Sequence, residues 1–170
     1  MKELPQRKPN RLRGYDYSQS GWYFITVCTK NKEELFGLIE NRQMILNEHG
    51  NIVKQEIEKI PTIRKECVVH EFVVMPNHIH LVVEIKIIET RRDDCHLRDD
   101  CHRPLRKSIP YMVQGLKGAV TRRLGFSPWQ RNYHDHIIRN DKDYIRIAEY
   151  IINNPTRWQE DRFYQEVTNP

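Results

Sequence analysis

Two apolar runs, CVVHEFVVM (67–75) and HIHLVVEIKII (78–88), meet at Pro76-Asn77. Their β-branched and aromatic content, broken by a turn dipeptide, predicts two adjoining strands. A third strand is expected at GWYFITVCT (21–29), and a hairpin at LFGLIE-NRQ-MILN (35–47), where two short apolar runs flank a polar turn. Apolar residues at Ile52, Val53, Ile57 and Ile60 fit an amphipathic helix from Glu48 to Ile60, stopped by Pro61. A second helix is expected over 108–125, ending in a basic turn and a glycine. WQRNYHDHIIR (129–139) reads as a loop leading into a short strand. Asn140 or Asp141 then caps a third helix through Asn153, ended by Pro155. Strands broken up by a few helices indicate an α+β sandwich, with helices against one face of an antiparallel sheet.

A chain of 170 residues is the size of one domain, and 38% hydrophobic residues suffice to build a core. No apolar run approaches the roughly 20 residues of a membrane span, so no membrane association is expected. The opening MKELPQRKPNRLRG is basic with no apolar stretch behind it, unlike a secretory signal. Cys28, Cys67, Cys95 and Cys101 are too scattered for a disulfide framework, which points to the reducing cytoplasm. The net charge of +5 suits a polyanionic partner. Part of that charge lies in residues 1–14, a basic arm that is either solvated or in contact with phosphates, with Lys8, Arg11 and Arg13 as its candidate contacts.

Between the strands and the second helix lies a low-complexity insert, residues 90–104. RDDCHL (92–97) is followed at once by RDDCHR (98–103). Cysteine and histidine are zinc ligands, but this spacing fits no familiar finger. A tandem duplication in a tolerated surface loop accounts for it.

Side chains alternate across a strand, so His78 and His80 project from one face, with Ile79 opposite. Their imidazoles can converge on one divalent metal ion. Two hydrogen-bonded histidines on the exposed face of a half-buried sheet would show the same spacing. In the last helix Tyr150 and Asn154 lie one turn apart, and Asp143 and Ile147 continue their stripe. That stripe can set a phenol nucleophile beside a third metal ligand, or it can be a packed tyrosine followed by a helix end. His134 and His136 repeat the two-residue spacing but lack an apolar strand on both sides, and are read as structural or DNA-facing.

MPNHIHLVV, the helix with its basic turn, and WQRNYHDHIIRNDKDYIRIAEYIINNP occur in an order that resembles the single-tyrosine HUH transposases. The similarity is closest to the branch called REP-associated tyrosine transposases and runs from about residue 11 to 158. It implies a ferredoxin-like sandwich, one HUH nuclease domain over residues 15–158, and a C-terminal tail at 159–170. His78 and His80 match the metal-binding pair of that family, Tyr150 its catalytic tyrosine, and Asn154 the polar residue that completes the metal site. The activity implied is cleavage and rejoining of single-stranded DNA at hairpin-forming repeats, through a 5′-phosphotyrosine link. The implied cofactor is Mg²⁺ or Mn²⁺, and the two imidazoles lean toward Mn²⁺. The implied partner is a DNA hairpin, and the implied state a monomer or homodimer.

Tyr144 has Ala148 one turn on and so no ligand beside it; Tyr133 is the rival nucleophile. Arg122, Arg123, Arg131 and Arg139 are candidates for DNA backbone contacts or for a solvated charged face. Three other functions fit less well. A non-catalytic hairpin-binding protein would not need all four site residues. A replication or mobilisation initiator nuclease usually carries further domains. A metal-binding regulatory domain would leave the basic arm unexplained.

Overall fold

The alternation that marks Gly21–Cys28 (β1) as a strand also divides its side chains between two environments. Tyr23, Ile25 and Val27 enter one core, while Trp22, Phe24, Thr26 and Cys28 face the other way. The computed structural model describes residues 15–86 and 108–164. The basic arm with Lys8, Arg11 and Arg13, and the duplicated RDDCH with Cys95 and Cys101, lie outside the described residues.

After β1 come the hairpin strands β2 (Gly37–Glu40) and β3 (Gln43–Leu46), then helix α1 (Glu48–Glu58) and the short helix α2 (Ile60–Ile63). Strands β4 (Cys67–Val74) and β5 (His78–Ile85) follow, then helix α3 (Ile109–Leu124), strand β6 (His134–Ile138) and helix α4 (Asp141–Asn153). The main sheet has the order β4-β5-β1-β6 with every neighbouring pair antiparallel. Leaving out the β2–β3 hairpin, the elements run β-α-β-β-α-β, the ferredoxin-like split βαβ arrangement. The expected α+β fold is therefore observed. Its helices divide between both faces of the sheet, not one. Helices α1 and α3 cover the face of Ile25, Ile79 and Leu81, and α4 covers the other through Ile147 and Ile151, which pack with Val82 and Ile138.

Local chemistry accounts for the boundaries. Asn47 and Asn140 cap α1 and α4 by accepting from the backbone N–H groups of Gly50 and Asp143, each at 2.9 Å. Gly125, at φ +77°, ends α3 in the left-handed region that glycine enters without a Cβ penalty. Asn41 and Arg42, both at positive φ, form the two-residue turn between β2 and β3. Pro61 does not end the helical segment as expected. It occupies the first turn of α2, where its missing N–H has no partner to lose.

Strand β5 lies between β4 and β1 and is buried along nearly its whole length. This burial matters for function, because two of its residues are histidines. No helix among the described residues is long and apolar enough to cross a membrane.

Candidate active site

His78 and His80 are both fully buried, so the exposed-face reading of their spacing does not hold. They lie on the α4 side of β5, level with Cys28 and Thr26 of β1. Their Nε2 atoms approach to 3.0 Å.

Surrounding groups fix both rings. The Asn77 amide nitrogen donates to the carbonyls of Lys32 (3.2 Å) and Phe163 (2.9 Å), so its oxygen points at His78 Nδ1, 2.9 Å away. That oxygen can only accept, so Nδ1 carries the proton and His78 Nε2 presents a lone pair. His80 Nδ1 lies 2.8 Å from the Thr26 hydroxyl. A hydroxyl can donate or accept, so His80 can change tautomer without losing this bond. Burial holds the His78 pKa down to about 4 and that of His80 well below the usual imidazole range. Both rings are neutral at pH 7, the state in which imidazole binds a metal.

Helix α4 brings Tyr150 and Asn154 to the same place. The Tyr150 hydroxyl lies 3.3 Å from His80 Nε2 and donates to Asp161 Oδ2 at 2.7 Å. Burial, then the bond to Asp161, raises the phenol pKa above its usual value. Asn154 follows the last turn of α4 and is almost completely buried. Its Nδ2 donates to the same Asp161 oxygen at 2.8 Å, and its Oδ1 is buried with no hydrogen-bond partner among the described residues. An orphaned acceptor costs about 1–3 kcal/mol unless something fills the place of the missing donor.

Asp161 is the residue that sequence reading missed. It falls in residues 159–170, expected to be a tail, yet 155–164 fold back over the histidines. Residues Pro155–Glu160 form a 3-10 turn, and Trp158 and Phe163 are buried against the His78 ring, with centroids 5.9 Å and 4.5 Å away. Those two aromatics were the available signal that the segment packs. Burial pushes the Asp161 pKa up, but the hydrogen bonds from Tyr150, the Phe163 N–H and Asn154 outweigh it and hold it below the usual carboxylate value. One ligand atom from each of His78, His80 and Asp161 lies within 4.8 Å of the other two. With Asn154 Oδ1, these donors fit a divalent ion: two imidazoles that present Nε2, a carboxylate and an unsatisfied amide oxygen.

The remaining sequence candidates sit elsewhere. The rival Tyr133 is buried in the core on the α1–α3 side. Arg122 and Arg123 belong to α3, across the sheet from the site. Arg123 is engaged by Glu56 at 3.0 Å and Gln55 at 2.8 Å, so it braces α3 against α1. Arg131 and Arg139 are exposed just before and just after β6. His136 Nε2 is hydrogen-bonded to Asp143 Oδ2 at 2.7 Å, and His134 is exposed.

The four-stranded sheet thus turns two buried histidines of β5 toward a helix-borne tyrosine. No family model matches, but an uncharacterised protein of Haemophilus influenzae is 44% identical, with 95% of this chain and 94% of the relative covered. The REP-associated tyrosine transposase of Escherichia coli is 26% identical over 89% of this chain and 81% of its own length. A solved REP-associated tyrosine transposase, bound to a REP hairpin, shares the fold with a TM-score of 0.59 at 21% identity, covering 93% of this chain and 74% of that one. In sequence and in fold the chain is thus similar to the REP-associated tyrosine transposases.

Proposed function

We propose that this chain is a metal-dependent transposase that cleaves and rejoins single-stranded DNA at hairpin-forming repeats, with Tyr150 as nucleophile. One observation carries the reading: the Tyr150 hydroxyl touches His80 and Asp161, two members of a buried donor set that fits a divalent ion. A likeness to the hairpin-bound transposase supports the choice of DNA.

His78, His80, Asp161 and Asn154 would hold the ion, and two imidazoles favour Mn²⁺ over Mg²⁺. When bound, the ion supplies Lewis-acid polarisation of a non-bridging phosphate oxygen. The protein's own groups supply the rest. Tyr150 is un-ionised at pH 7, so its proton must leave as its oxygen attacks. Asp161 Oδ2 already accepts that hydrogen and is the acceptor for the proton. A Tyr150 O–P bond forms while the bond from phosphorus to the 3′-oxygen breaks, and that oxygen takes a proton from water. The phosphotyrosine link conserves the bond energy, so a 3′-hydroxyl can later attack in reverse, with Asp161 returning the proton to the phenolate. Asn77 and Thr26 hold the imidazoles in place.

The test is incubation with single-stranded hairpin DNA from the chain's own genomic flanks and Mn²⁺ or Mg²⁺, followed by a denaturing gel. The expected result is a slow-migrating protein–DNA adduct that disappears in Tyr150→Phe and in the presence of chelator. Hairpin binding without an adduct in either metal would replace this reading with a non-catalytic hairpin-binding protein.

A further inference from the structure

Tyr150 stands between two open clefts of similar size and different charge balance. One, of about 410 Å³, lies between α4 and the 155–161 segment and carries Glu149, Glu160 and Asp161 against Arg146 and Arg157. Arg157 is itself committed to Glu160, at 2.8 and 2.9 Å. Carboxylates are in excess there. The other cleft, of about 470 Å³, lies between α4 and the edge strand β6, and reaches His80 at its inner end. Its walls present Arg146, Arg162, His134 and His136 with one lining carboxylate, Asp135, whose Oδ1 is buried, and Asp143 holds Arg146 and His136 from behind. Phe24 also lines it, stacked on His80 with centroids 5.1 Å apart and edge-on to Tyr150 at 6.2 Å.

We infer that the β6–α4 cleft is the binding site for the unpaired DNA strand next to the scissile phosphate. This rests on the function proposed above and assigns its substrate path. Proteins that hold single strands without reading duplex combine a positive groove with aromatic surfaces on which bases stack. Here Phe24 supplies the aromatic surface, and Arg146 and Arg162 supply the phosphate contacts. The Arg162 guanidinium lies over the Phe163 ring, 4.6 Å from its centroid, and has no ion-pair partner among the described residues. Arg146 is oriented by Asp143 at 2.5 Å, and that same carboxylate pairs with His136 across the cleft. The cleft ends at His80 and Tyr150, so a strand lying in it delivers a phosphate to the nucleophile. The acidic cleft on the other side repels a phosphate backbone and gives the strand one route of entry.

The experiment measures binding of the Tyr150→Phe chain to a fluorescein-labelled oligothymidine and to a blunt duplex, over a salt series. Arg146→Ala and Arg162→Ala should each weaken oligothymidine binding about fivefold and reduce its salt slope by about 1, as expected for one lost phosphate contact. Phe24→Leu, which keeps the packing volume, should weaken it about tenfold with the salt slope unchanged. Duplex binding should not move in these variants, and Arg157→Ala should change neither probe. Unchanged oligothymidine binding in all three cleft variants overturns the assignment, as does equal loss on both probes. The outcome is separable from the cleavage test. A cleft that binds as described in a protein that forms no adduct preserves this inference and removes the nuclease reading. An adduct formed by a protein whose cleft variants bind normally does the reverse.

Discussion

The two faces of β5 differ by a single step in the strand and have opposite roles. On one, Ile79, Leu81 and Val83 are fully buried among the side chains of α1 and α3. On the other, His78 and His80 are equally buried, but among polar partners that they must keep satisfied. Burial is thus the same and its meaning is not. The apolar face gains roughly 1.5–3 kcal/mol for each large aliphatic side chain it removes from water. The histidine face loses the hydration of two imidazoles and recovers it only through hydrogen bonds, so it contributes positioning more than stability.

The largest effect should come from the apolar face. Leu81→Ala removes a fully buried side chain and should cost about 3 kcal/mol, read as a lower midpoint in chemical denaturation. His80→Gln, one residue away, should cost about 1 kcal/mol or less, yet abolish the rise in Tm expected when Mn²⁺ is added to the unaltered chain. If His80→Gln destabilised the chain as much as Leu81→Ala, the division of labour between the faces would fail.

Acid should separate the faces next. The unfolded chain protonates its histidines near pH 6.5, whereas His78 resists until about pH 4 and His80 is also held low. Between those values the unfolded state binds more protons, so stability falls as pH falls from 7 toward 4. The loss should shrink in the double variant His78→Gln, His80→Gln. Bound Mn²⁺ should delay it, since protons and metal compete for the same nitrogens. A double variant with unchanged acid sensitivity would place the titrating groups elsewhere.

Periodicity explains what could be read beforehand. The strands, the α4 stripe and the convergence of His78 with His80 all follow from repeats of 2 or 3.6 residues within one element. The shared face of Tyr150 and Asn154 was legible for the same reason, while their roles came from the family resemblance. Asp161 was not, because it reaches the site by a chain reversal after Asn154, and an acidic residue in TRWQEDRF has no repeat to align it with a histidine eighty residues earlier. Arg146 and Arg162 were missed similarly. One faces the cleft from the flank of the tyrosine stripe, and the other comes from the same reversal. The division of helices between both faces also escaped the sequence. A moderately amphipathic helix declares that it has a buried side, but not which face of the sheet that side will meet.

The smallest expected effect concerns Arg123, which the sequence offers as a phosphate contact, set against Arg146, which it does not. The two lie on opposite sides of the sheet. Arg123 donates to Glu56, which is only 8% exposed, and to Gln55, so it joins α3 to α1. Glu56 keeps Lys59 as a second partner at 2.7 Å, and the Arg123 side chain is itself about a third exposed. Arg123→Ala should therefore cost no more than about 1 kcal/mol of stability, because the carboxylate is not left alone and the pair is partly screened. Its affinity for oligothymidine, and the salt slope of that affinity, should stay at the unaltered values. A salt slope lowered by about 1 in Arg123→Ala would instead put a phosphate on the α3 layer and extend the DNA around the edge of the sheet, joining the two faces in one binding surface.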